Sequence, residues 1–94
     1  MPRKSDDKYK IAKVTWVDAE ESGELGWNCL KETIRKAKAP CPVMISVGHV
    51  LFKDDKHISL VSTLGKEECG RLEKIPLSFV VSLEVMEVSK NAKI

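Results

Sequence analysis

Asp54-Asp55-Lys56-His57 is the densest run of chemically capable groups in the 94-residue chain, with two carboxylates, an ammonium and an imidazole in sequence. Such a run could hold a metal or pass a proton, so its surroundings decide. Zinc sites draw ligands from fixed spacings such as CxxC, HxxxH or HExxH. His49, His57 and the cysteines Cys29, Cys41 and Cys69 form none of these, and no metal site is assigned. Nucleophilic catalysis needs a Ser or Cys held by a His and an orienting acid. Cys69 instead follows Glu67 and Glu68 between Gly65 and Gly70, and neighbouring carboxylates work against a thiolate. GxSxG elbows, phosphate-cradling glycine loops and dinucleotide fingerprints are missing as well. The sequence therefore points away from an enzyme, assigns no catalytic residue and implies no cofactor. Asp54-Asp55 reads instead as the turn of a hairpin.

The rest of the composition is that of a small globular protein. Hydrophobic residues make up 43% and charged residues 32%, and the net charge of +2 leaves nucleic-acid binding to any local basic patch. No apolar run reaches the roughly 20 residues of a membrane helix, and "MPRKSDDKYK" has no hydrophobic stretch of signal-peptide type. Three widely spaced cysteines do not make a disulfide framework, so a reducing cytoplasm is the expected setting.

Hydrophobic periodicity then supplies the elements. Residues 1–8 are polar and read as a flexible arm, residues 9–88 as one domain and residues 89–94 as a tail. Ile11, Val14, Trp16 and Val17 mark a first strand, broken by Ser22-Gly23. In "GWNCLKETIRKAKAP", Trp27, Leu30, Ile34 and Ala37 fall on one helical face. This predicts a helix of about three turns, ended by Pro40 and Pro42, with Trp27 in the core. In "PVMISVGHVLF", Val43, Ile45, Val47 and Leu51 oppose Met44, Val50 and Phe52, an arrangement that suits burial of both faces in a small barrel or a subunit contact. A turn centred on Asp54-Asp55 would set Phe52 opposite His57 and Val50 opposite Ser59. "HISLVSTL" and "RLEKI" continue as strands, Pro76 breaks the chain, and "SFVVSLEVMEV" ends it with Phe79, Val81, Leu83 and Val85 on one side. The order is β-α-β-β-β-β, mainly β with one helix. Trp16, with Asp18 nearby, either joins the core or lines a ligand pocket or subunit contact.

The β half resembles the Sm-like family. "VGHVLFKDDKHISLV" is similar to that family's first motif, in which a glycine-bearing strand runs through an acidic turn into Asp-x-His-Met-Asn-Leu. Gly48 matches the glycine, Asp55 the turn aspartate beside Asp54, and His57-Ile58 the His-Met pair. Ser59 stands at the asparagine, followed by Leu60-Val61. "GRLEKIPLSFVVSLEV" resembles the family's closing strands, with "KIPLSF" in place of the second motif's Arg-Gly. The similarity spans residues 43–88 and implies a bent five-stranded SH3-like barrel. It also implies a homo-oligomeric ring formed through edge strands, with RNA or single-stranded DNA as ligand. His57 and Ser59 would then occupy base-contacting places, and Lys56 and Lys74 would meet phosphate. "VTWVDAEESGELGW" followed by this half also resembles small uncharacterised bacteriophage proteins, which implies the cytoplasm of a bacterial or phage-infected cell. On that alternative, the chain binds a host protein or sequesters a small nucleotide near Trp16, without affinity for nucleic acid.

Overall fold

A computed structural model of the chain describes residues 9–87, so the arm read over residues 1–8 and the tail over 89–94 lie outside the described residues. Five strands form a single antiparallel sheet: β1 (Ile11–Val17), β2 (Val43–Lys53), β3 (His57–Val61), β4 (Leu72–Pro76) and β5 (Val80–Met86). Helix α1 (Leu30–Ala37) lies between β1 and β2, and a one-turn 3-10 helix (Leu77–Phe79) lies between β4 and β5. The protein is thus mainly β with one helix.

Across the sheet the strands run β4-β3-β2-β1-β5. Consecutive strands β4 and β5 therefore sit at opposite edges, which in a flat sheet would be about 19 Å apart. The connection between them, Leu77–Phe79, advances only about 6 Å as a 3-10 helix. The sheet must roll until these edges approach at that end. They do not pair, so the sheet stays open.

Inside the roll lies a small core of Ala12, Val14, Ile58, Leu60 and Ile75, flanked by Trp16, Val50, Leu77, Val80 and Leu83. Strand alternation explains it. Ala12 and Val14 face inward from β1, level with Gly48 and Ser46 on β2 and with Val85 and Leu83 on β5. The indole N–H of Trp16 donates to Ser46 Oγ at 3.0 Å, giving its polar end a partner inside the sheet. Gly48 allows a close crossing of two backbones: a Cβ there would lie 2.7 Å from the Val61 carbonyl oxygen.

Several expectations need correction. The turn centres on Asp55-Lys56, because the Asp54 N–H donates to the His57 carbonyl at 3.1 Å. Phe52 then lies opposite Ser59 and Val50 opposite Leu60, with a register shift between Val50 and Phe52. That bulge at Leu51 puts Phe52 on the face opposite Val50, although simple alternation had placed them together. A second shift, where Trp16 meets Val80 and Thr15 meets Ser82, leaves Val81 out of line with Leu83 and Val85. Phe79 belongs to the 3-10 turn. The helix has eight residues, and Trp27 precedes it. Trp27 is not core but fully exposed, and so is the expected outer burial of β2 unrealised: Val43, Ile45 and Val47 are each more than half exposed.

Candidate functional site

The tip of the β2–β3 hairpin gathers Asp54, Asp55, Lys56 and His57. The Asp54 carboxylate accepts the amides of Lys56 at 2.8 Å and His57 at 3.0 Å. These bonds, His57's first, hold the Asp54 carboxyl below its usual value. Neither Asp55 nor Lys56 has a positive φ, so the primed hairpin turns are excluded, and an aspartate ahead of an ordinary turn fits the side-chain bonds seen. Asp54 is thereby committed to the turn. His57 Nδ1 lies 3.6 Å from Asp54 Oδ1, and its ring centroid lies 5.5 Å from that of Phe52. The tip is tied to the strand connection as well, since the Leu77 amide donates to the Lys56 carbonyl at 2.8 Å. No group of three His, Cys, Asp or Glu side chains converges for a metal ion among the described residues.

Of the residues assigned to nucleic acid, Lys56 and Lys74 are exposed and His57 is half-buried, whereas Ser59 is 6% exposed. Ser59 lies between Phe52 on β2 and Lys74 on β4. Lys53, opposite Ile58, adds an exposed cation to the same end of the sheet.

The other candidate region lies where the chain leaves and rejoins β1 and β2. The Asp18 amide donates to the Pro42 carbonyl at 2.9 Å and closes the base of an excursion whose residues 19–41 are all exposed. Beside this base, a groove of about 330 Å³ is lined by Val17, Asp18, Ala19 and Cys41 on one wall and Ser78–Val81 on the other. Asp18 is among the residues lining this groove, while Trp16 packs against the core and is not. Sequence reading missed Cys41, Phe79 and Val81 as groove walls, because they come from segments distant in sequence. It also missed Leu25, which is fully exposed. The paired glycines around it, Gly23 and Gly26, were the available signal, since both adopt positive φ.

No helix among the described residues is long and apolar enough to cross a membrane. Compared with protein-family models, with curated proteins and with solved structures, the chain finds no match.

Proposed function

We propose that the chain is a self-assembling Sm-like module, a bent small β-barrel whose open β4 and β5 edges pair between copies into a homo-oligomeric ring. The observation that carries this reading is the imbalance of apolar surface. Among the described residues, six apolar ones are buried, while fourteen large ones are exposed. So small a core leaves a domain of this size marginal alone, and two unpaired edges are templates for further strands. Pairing between copies would satisfy both. The ring would offer Lys53, Lys56, Lys74 and His57 at the hairpin ends to the phosphates of RNA or single-stranded DNA. Sequestration of a small nucleotide beside Trp16 has less support, because that indole is engaged with Ser46 and the adjoining groove carries the Asp18 carboxylate.

Light scattering over a range of concentrations tests the assembly, with the expected mass a multiple of 10.5 kDa. A monomer at every concentration would sink the reading. Hydrogen exchange locates the contact: β4 and β5 amides should gain protection as concentration rises. Oligonucleotide titration tests the ligand, with binding at low salt that weakens steeply as salt is added. Absence of binding at low salt removes the nucleic-acid part and leaves the assembly standing.

A further inference from the structure

The exposed excursion between β1 and β2 is a built object. Gly23 and Gly26 take φ of +106° and +97°, and Asn28 clamps the loop with both ends of its amide. Its Oδ1 accepts the Glu24 N–H at 3.1 Å and its Nδ2 donates to the Glu24 carbonyl at 2.9 Å. The clamped loop presents Leu25 and Trp27 at 103% and 101% exposure, and Leu30 and Ile34 extend the apolar line onto α1. A preformed, fully solvated tryptophan is the kind of group that dominates binding interfaces once covered.

We propose that two copies of the chain exchange these excursions, here called the arms (residues 19–41), each seating its Trp27 in the groove between Val17, Cys41, Phe79 and Val81 at the root of the other's arm. Size permits it: a cavity of roughly 150 Å³ accepts benzene, and the groove measures about 330 Å³. Charge favours a second copy over an unrelated partner. The outgoing limb carries Asp18, Glu20, Glu21 and Glu24 with no cation between them, while the returning helix carries Lys31, Arg35 and Lys36, with Lys38 just past its end, against a single carboxylate, Glu32. Glu32 is already paired with Arg35. Two arms laid antiparallel about a twofold axis set the acidic limb of each beside the basic helix of the other, a self-complementary pattern. Area is sufficient too. Each buried tryptophan removes about 200 Å², and with the groove walls and the flanking leucines, two reciprocal contacts total roughly 1,200 Å², the lower bound for a stable pair. Trp27 is not among its own groove's lining residues.

This contact is separate from edge pairing, and the native cysteines report on it. Cys29 lies two residues from Trp27 and Cys41 lines the groove. In a Cys69→Ser background, ¹⁴N- and ¹⁵N-labelled chains are mixed and treated with a short bis-maleimide. The expected product is a Cys29–Cys41 link joining chains of different label, reduced at least tenfold by either Trp27→Ala or Val81→Glu. In a Trp16→Phe background, Trp27 emission should shift to the blue as concentration rises. The proposal is overturned by links confined to one label, by cross-link yields that Trp27→Ala leaves unchanged, or by solvent-like emission at every concentration. Protection of β4 and β5 amides should survive Trp27→Ala, so loss of the arm contact and loss of edge pairing are read separately.

Discussion

The sheet and the arm carry amphipathic patterns of similar clarity, yet only the sheet buries its apolar side. Ile58 and Ile75 are at most 1% exposed, whereas Leu30 and Ile34 on α1 are 73% and 45% exposed. The difference lies in what each element has opposite it. Every strand in the sheet has a neighbour that fixes its register and closes over its inner face. Among the described residues nothing covers the helix, and eight residues are too few to be stable by propensity alone. A periodic pattern tells which side of an element is apolar; the partner that covers it is a separate fact.

The largest effect that sharpens this contrast belongs to the core. Ile58→Ala should cost about 2–5 kcal/mol, a large part of a small domain's stability, and is read as a lower urea midpoint. Next comes Gly48→Ala, which sets a methyl against the Val61 carbonyl at 2.7 Å. Because the new Cβ is fixed to one sheet backbone and the oxygen belongs to the next, a loss of about 1–3 kcal/mol is expected by the same measurement. Trp16→Phe keeps most of the ring's packing and removes the 3.0 Å bond to Ser46 Oγ, for about 1 kcal/mol. If Ile58→Ala cost no more than Trp16→Phe, the core assigned to the sheet would be wrong.

How far these features were legible in the sequence follows from the same contrast. Alternation was enough to place β1, β4 and β5 near their observed spans, but Pro76, expected to break the chain, is the last residue of β4 opposite His57, and the break follows at Leu77–Phe79. The bulges were not legible. "VLF" at 50–52 and "VVS" at 80–82 read as unbroken alternation, and the extra residue emerges only when strands of different curvature must stay paired. Gly48 was legible as a strand glycine, but the Val61 carbonyl that requires it comes from the next strand. For the candidate site, the Asp54 turn was visible in residue type, although its register was off. Ser59 was assigned by resemblance to a contact position, and cross-strand neighbours bury it. Trp27 was read as core because helical spacing joined it to Leu30, whereas Gly26 and the Asn28 clamp end the helix short of it.

A smaller effect should separate the hairpin turn from the sheet it joins. The Asp54 carboxyl is held below its usual value by the amides of His57 and Lys56. Its folded pKa is therefore lower than the unfolded value near 3.9, so ionised Asp54 contributes stability above about pH 4 and loses it as pH falls through the folded pKa. Asp54→Ala should be less stable than the parent at pH 7, and the two urea midpoints should converge as pH is lowered toward 2.5. A gap that stays constant with pH would mean that turn shape, rather than the charge, carries the contribution.

The smallest expected global effect comes from the harshest change to the arm. Arg35→Pro removes a helical amide and breaks α1, a change that costs about 3 kcal/mol within a helix. In a protein whose helix supported its core, such a break would lower the unfolding midpoint about as much as Ile58→Ala. Here none of the helix's side chains is buried. In dilute Arg35→Pro protein the sheet should unfold at the parent's urea midpoint. A midpoint shift approaching that of Ile58→Ala would show that the helix closes over the sheet in solution and that the arm and sheet fold as one unit. An unchanged midpoint together with lost Cys29–Cys41 cross-linking would separate the two regions: the sheet holds the fold, and the arm joins copies.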